Sequence, residues 1–492
     1  MTHPTSTRNS SDISLRDLFT IKISALFVCL IMLNFSGMES IAQVTPVKIG
    51  NPTLVRYPVR GNPAFLNSDS SALERSVWDM YYFNRRIYIG SGDWVKNCGP
   101  IDIWTYNGTT FEKEYTVDEE SVVRFFEYDN KLFIPGNDPA NGDDWSFGNL
   151  YINDPARIPN PGWIKLRTLP NCIHLFDIAM FRNKLYAPFN GNIYMSADMG
   201  QTWTTFHSQV GSLVVFPDFL FIHGSDYDIK YDGITKEWIT SLNIFPDFAN
   251  SGQMARSVRY RDGVLYTPRS LSLETNPLFF LHASDIKNSG EATMIRQFAK
   301  DNIRDIVVRG NFCFVLTTKE VVKDITYSGR ILYSVDLINW VVAAAFVLPG
   351  LPYSFEIMDG KYYIGLGCTV NNSLGNEITF GLESGSIWEI GETSIPVGIS
   401  DTEMATGYSL NQNFPNPFDG STNISFDLPA ESDVLLKVFN FLGNEVATIV
   451  DEKLPPGKYS RIWETGGIPG GIYFYQLKAG TFTSTRKLVL LR

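Results

Sequence analysis

A strand–turn–strand unit, with an aromatic residue in its second strand, recurs seven times between residues 70 and 392. The last 85 residues alternate apolar with polar positions in short runs broken by turn residues. Tyr, Phe and Trp make up 14% of the chain, beside 39 Gly and 26 Pro. These three observations predict an all-β protein. The architecture they fit is a seven-bladed β-propeller, with six or eight blades also compatible, followed by a small immunoglobulin-like β-sandwich.

The repeat is explicit. It reads Met80-Tyr81-Tyr82-Phe83-Asn84-Arg85-Arg86-Ile87-Tyr88, then Phe125-Phe126-Glu127-Tyr128-Asp129-Asn130-Lys131-Leu132-Phe133, then Ala179-Met180-Phe181-Arg182-Asn183-Lys184-Leu185-Tyr186. Shorter or altered copies follow. Their second-strand aromatics complete the series Tyr88, Phe133, Tyr186, Phe221, Tyr266, Phe314 and Tyr363, separated by 45, 53, 35, 45, 48 and 49 residues. A period in this range with four strands per unit is the signature of propeller blades. The second half of each unit carries another strand pair, as in Ile193-Tyr194-Met195-Ser196 leading to Trp203, Ile229-Lys230-Tyr231 to Trp238, and Ile331-Leu332-Tyr333-Ser334 to Trp340. Residues 43–69 read either as a linker or as a strand that closes the ring. Residues 393–407 read as a linker.

In the C-terminal segment, Ile424, Phe426 and Leu428 alternate with polar residues, as do Val434, Leu436 and Val438. Period two means half-buried strands. Asn416-Pro417 and Pro455-Pro456-Gly457 mark turns, and Gly443-Asn444 suits a hairpin that needs positive φ. Trp463 and Tyr473 to Tyr475 supply the bulk of a small core.

Several motifs of this segment, in order and spacing, closely resemble the type A C-terminal sorting domain of cargo for the type IX secretion system of Bacteroidetes and their relatives. They are Gln412-Asn413-Phe414-Pro415-Asn416-Pro417-Phe418, Leu442-Gly443, Gly471-Ile472-Tyr473 and the terminal Lys487-Leu488-Val489-Leu490-Leu491-Arg492. The resemblance covers most of residues 408–492. It implies Pro415, Asn416, Pro417, Phe418, Gly443, Gly471, Tyr473 and Lys487 as sorting residues and the type IX machinery as partner. An adhesion or carbohydrate-binding module, the alternative, requires neither the Pro-Asn-Pro-Phe string nor the Lys-Leu-Val-Leu-Leu ending.

The other end of the chain agrees. Arg8, Arg16 and Lys22 precede an apolar run from Ile23 to Phe35, and Ser40-Ile41-Ala42 offers small residues for a peptidase. This predicts an export signal over residues 1–42. The route is then the periplasm, and the destination the outer surface or the medium. The net charge of −11 argues against nucleic acid or an anionic membrane as partner. Beyond the leader, four cysteines remain: Cys98, Cys172, Cys313 and Cys368. An oxidising compartment permits disulfides. Cys98 and Cys368 fall in loops of the first and seventh units, neighbours once a ring closes, so they are expected to pair.

Ser196-Ala197-Asp198-Met199-Gly200-Gln201-Thr202-Trp203 resembles the Asp-box, or BNR repeat, of sialidase-type propellers. Ser196, Asp198, Gly200 and Trp203 are read as structural: the carboxylate collects hairpin N–H groups, glycine takes a left-handed conformation and tryptophan packs. Asp-box propellers include glycosidases, so a glycoside hydrolase or lyase at the axis is the alternative to a binder. Arg157-Ile158-Pro159 spells a sialidase string but sits off the innermost strand. Arg256, Arg269 and Arg304 have no fixed geometry as a carboxylate clamp. No metal-ligand spacing, nucleotide loop or cofactor motif is present, and no catalytic residue is assigned. Asn137–Asp144 departs from calcium-loop spacing. Binding is expected on the face where second-to-third strand connections gather: 92–100, 135–148, 267–277, 317–329 and 367–386. Trp94, Trp145, His223, Tyr227 and Arg269 are the contact candidates, for a glycan or a protein.

Overall fold

The computed structural model describes residues 44–54, 75–92, 99–138, 146–157, 162–175, 177–208, 211–224, 227–240, 256–267, 277–284, 286, 292–322, 325–371, 377–379, 383–391, 408–413, 416–454 and 457–491. Among these the secondary structure is almost entirely strand. The named helical turns are the three-residue pieces Pro52–Leu54 and Arg296–Phe298. No helix among the described residues is long and apolar enough to cross a membrane.

The central region forms seven four-stranded antiparallel sheets among the described residues. The first consists of Asp79–Phe83, Arg86–Gly90, Ile101–Tyr106 and Phe111–Val117, paired in chain order. Blades two to six span 126–170, 179–207, 211–240, 256–294 and 302–348 in the same order. The seventh takes Leu351–Met358, Lys361–Gly367 and Ile387–Ile390 from one end of the region. Its fourth strand, Val47–Gly50, comes from the other end. That strand lies in the stretch the sequence left open between linker and ring closure, and it pairs antiparallel with Ile387–Ile390.

The repeat builds each blade for simple reasons. Its first two strands need a two-residue turn with positive φ, which matches the twist of the flanking strands. Asn84-Arg85, Asp129-Asn130 and Arg182-Asn183 each supply it, with φ of 48° and 61°, 51° and 55°, and 51° and 59°. All seven second-strand aromatics are buried. Burying each contributes about 1.5–3 kcal/mol. Seven apolar clusters join neighbouring blades in a cycle, and these aromatics sit in six of them. Tyr88 sits between blades one and two, Phe133 between two and three, Tyr186 between three and four, and Phe221 with Tyr266 between four and five. Leu265 and Cys313 join five to six, Phe314 and Tyr362 join six to seven, and Tyr363 and Ile87 join seven to one.

Carboxylates on the innermost strands add polar links. Asp79 accepts the N–H of Phe125 at 2.8 Å, Asp177 that of Leu213 at 3.2 Å, Asp305 that of Phe355 at 2.9 Å and Glu356 that of Tyr82 at 3.0 Å. Each bond crosses to the next blade.

One loop departs from expectation. Residues 317–329 are no open connection, because the strands Phe312–Val322 and Thr326–Ser334 pair almost to the tip. The β-branched run Thr317, Thr318, Val321, Val322 favours extended backbone over loop. Within 367–386, Thr369–Asn371 and Glu377–Thr379 likewise form a small hairpin.

Residues 408–491 form a sandwich. A three-stranded sheet (Ser409–Leu410, Ser421–Leu428, Gly457–Glu464) faces a four-stranded one in the order Glu445–Leu454, Ser432–Asn440, Gly471–Ala479, Phe482–Leu490. Ile424, Phe426, Leu428, Val434, Leu436, Val438, Trp463, Tyr475 and Leu477 fill its core. The alternation read from the sequence is the alternation of burial.

Candidate functional site

The sorting residues lie some seventy positions apart in the chain, and the fold brings the two groups together. Asn416 bridges to the last strand twice: its Oδ1 accepts the N–H of Val489 at 2.8 Å and its Nδ2 donates to the Lys487 carbonyl at 3.3 Å. Gln412 donates to the same carbonyl at 2.7 Å. Phe418 N–H donates to the Val489 carbonyl at 3.1 Å, and Leu491 N–H returns a bond of 2.7 Å to Phe418. The Phe418 ring is buried 6.0 Å from Trp463. Pro417 is described, whereas Pro415 lies outside the described residues. Gly443, at φ 82°, closes a turn in which Asn440 Oδ1 accepts the N–H groups of Leu442 and Asn444, each at 3.0 Å. Tyr473 is buried, donating its hydroxyl to the Pro469 carbonyl at 2.7 Å, and Gly471 opens its strand. The motif is thus one zipped edge, Gln412 to Phe418 against Lys487 to Leu491.

On the propeller, His223 and Tyr227 flank the second-to-third connection of blade four. Trp94, Trp145 and Arg269 lie outside the described residues. His223 is buried, its Nδ1 2.8 Å from Oδ1 of the fully buried Asp228. It holds the loop base and does not offer a contact surface. Tyr227 is half-buried, its hydroxyl 3.1 Å from Nε2 of His207 on blade three. Trp238 packs against both, edge to face, with ring centroids 4.6 Å from Tyr227 and 5.2 Å from His207. Its indole is 55% exposed. Lys236, two residues away on the same strand, stands 3.7 Å over the Phe206 ring and donates to the Phe206 carbonyl at 2.6 Å. Partial burial lowers its pKa. Phe206, His207, Tyr227, Lys236 and Trp238 thus meet where blade four packs on blade three.

A second polar group sits on the inner strands. The Tyr81 hydroxyl donates to Glu127 at 3.2 Å, and Arg309 pairs with Glu356. Glu356 also accepts the N–H of Ile357 at 2.8 Å. Burial, and next the Glu127 carboxylate, hold the Tyr81 phenol protonated well above its ordinary pKa. That is opposite to what a phenolate nucleophile needs. Arg304, weighed as part of a carboxylate clamp, donates to Thr318 at 2.9 Å.

The turn at Asp198 is local. The carboxylate accepts the Thr202 hydroxyl at 2.6 Å, its N–H at 2.9 Å and the Ser196 hydroxyl at 2.7 Å, which lowers its pKa to about 2. Gly200 takes φ 89°, and Trp203 Nε1 donates to Thr168 of blade two at 3.1 Å. Cys368 is buried with Ser76 Oγ 3.1 Å from its sulfur; Cys98 lies outside the described residues. No group of three or more His, Cys, Asp or Glu side chains suited to a metal occurs among the described residues.

Sequence reasoning missed Trp238 and His207. Trp238 reads as the packing tryptophan of its repeat, and no signal in its own segment sets it apart from Trp203 and Trp340.

No curated protein matches the chain. Among solved structures it is similar to PorZ, a bacterial surface component of the type IX secretion system of Porphyromonas gingivalis. The identity is 12%, the coverage 87% of this chain and 61% of that one, and the TM-score 0.40. It is also similar to the β-propeller domain of the Trilobed protease of Pyrococcus furiosus, at 8% identity, 66% and 98% coverage and a TM-score of 0.38. The chain spans less than two thirds of the length of PorZ. Residues 412–491 match the family described as secretion system C-terminal sorting domain. The segment whose two ends zip together is therefore a type IX sorting domain, and the chain is cargo exported through the periplasm to the cell surface or the extracellular space.

Proposed function

We propose that the chain is a non-catalytic glycan-binding protein, delivered to the cell exterior with its propeller as the binding part. The observation that carries this reading is Trp238. Its large apolar ring is more than half exposed yet braced on two sides, so that its face is fixed before a ligand arrives. A rigid aromatic plane beside hydrogen-bonding His207 and Tyr227 suits the apolar face and hydroxyl rim of a sugar. Lys236 sets a positive charge nearby.

The test is a glycan array on the mature protein, followed by titration of any hit against Trp238→Ala. The substitution is expected to weaken binding about tenfold, the scale of one lost aromatic contact, without lowering the melting temperature. An array with no hits, or unchanged affinity in the variant, would sink the reading. The inner cluster of Tyr81, Glu127, Arg309 and Glu356 favours a second reading, hydrolysis at the axis. Its groups are already engaged with one another across blades six, seven, one and two. Turnover in a parallel hydrolysis screen, lost in Glu127→Gln and kept in Trp238→Ala, would support it.

A further inference from the structure

The sorting domain carries most of its exposed apolar bulk in one place. Phe441 is 75% and Leu442 69% exposed at the tip of the turn after Ser432–Asn440. Ile472 and Phe474 are exposed on the outer face of the next strand, alternating with buried Tyr473 and Tyr475. Strand pairing sets Phe439 directly opposite Phe474, and Ile472 opposite Val489. Directly opposed side chains on one face touch. The turn bearing Phe441 and Leu442 leaves the sheet at the end where Ile472 begins its strand. Lys487 lies opposite Phe474 and edges the group with positive charge.

An outer sheet face normally turns polar residues to water, and this sheet does so at its other end, with Lys437, Gln476, Lys478, Thr483 and Thr485. The apolar end is therefore a local exception on a domain whose family match assigns it to sorting. It shares Lys487 and Val489 with the zipped edge described above.

We propose that this face is where the export apparatus grips the cargo. The partner is a protein of that apparatus presenting an apolar pocket with acidic groups at its rim. The inference rests on the sorting reading and names the surface that performs it. Anchors of this kind, large apolar side chains clustered and ringed by polar ones, carry most of the energy of protein interfaces. The tip supplies two largely exposed side chains, and the strand supplies two more on a paired ladder.

The test uses the full chain in a bacterium that possesses the type IX apparatus. Four variants are followed by the fraction reaching the surface or medium: Phe441→Ser with Leu442→Ser; Ile472→Thr with Phe474→Thr; Ile462→Thr; and deletion of residues 408–492. Ile462 is 71% exposed on the opposite, three-stranded sheet and serves as the control. Both double variants are expected to accumulate in the periplasm at least tenfold over wild type while melting within a few degrees of it, whereas Ile462→Thr is exported normally. Normal export of both double variants, with the deletion trapped, would overturn the proposal and leave the sorting reading intact. Export of the deletion would overturn both. Loss of export only in variants that also lose their fold would overturn it as well. So would a dimer in sedimentation that the Phe474 change dissolves without affecting export, which would give the face to a second copy.

Discussion

At Glu119 two buried acceptors lack a donor. Its Oε1 takes bonds from Asn149 Nδ2 at 2.7 Å and the Tyr151 hydroxyl at 2.9 Å, yet its Oε2 and the Asn149 Oδ1 stand unpartnered. Burial pushes this carboxyl up to about 7, against the lowering pull of Asn149, Tyr151 and Lys165 and with a small rise from Asp118. Cys172 on the neighbouring segment also faces it. A proton on Oε2 would give the missing donor. The folded pKa lies above the ordinary 4.5, so the stabilisation is complete below that pH and is lost as pH climbs through about 7. Glu119→Gln, whose amide supplies the same donor without titrating, is expected to be the more stable protein above pH 7. The gain is about 1–3 kcal/mol, the usual cost of an unsatisfied buried group. Denaturant unfolding at pH 5 and pH 8 measures it. Asp177, also raised to about 7 by burial, gives wild type and variant the same slope and cancels in their difference.

Elements were legible where the period was strict. The aromatic hairpins are legible because a two-residue turn leads into a continuous run of buried residues, as in Arg86–Gly90 and Gly263–Thr267. The strands after residue 408 are legible because burial there follows a two-residue rhythm, as in Ile424, Phe426 and Leu428. The distal part of the hairpin over 312–334, residues 317–329, reads as a loop because Lys319 and Glu320 interrupt the apolar run, although cross-strand pairing continues past them to Val322. The exposure of Trp238 is illegible for another reason. Trp203 and Trp340 occupy similar places in their repeats but are covered, Trp203 by the cluster between blades two and three and Trp340 by Phe298 at 4.6 Å. Exposure of the third is set by its contacts with His207 of the adjacent blade and with Tyr227, which no local pattern encodes. At the zipped edge the decisive element contact is Asn416. Asn416→Ala removes both of its bonds to the last strand and is expected to destabilise the sorting domain by about 1–2 kcal/mol. Faster amide exchange along Phe482–Leu490 would register it, and unchanged protection there would refute it.

For the whole molecule, the closing strand decides cooperativity. Val47–Gly50 completes the seventh sheet, Lys48 pairs with Glu383 at 2.5 Å, and Val44 N–H reaches the Ala345 carbonyl of blade six at 3.1 Å. Deleting residues 44–50 is expected to lower the melting temperature and to open a protease site beside Ile387–Ile390, read by limited digestion; a wild-type melt and digest would show that the ring does not need its latch. Ile387–Ile390 is also the last propeller strand before the stretch that leads to the sorting domain. It is bonded on one flank to Lys361–Gly367 and on the other to Val47–Gly50. Tension passed along the chain from the sorting domain enters the propeller through this strand and is shared at once by its two ladders. The strand that takes up this load is thus one held on both flanks.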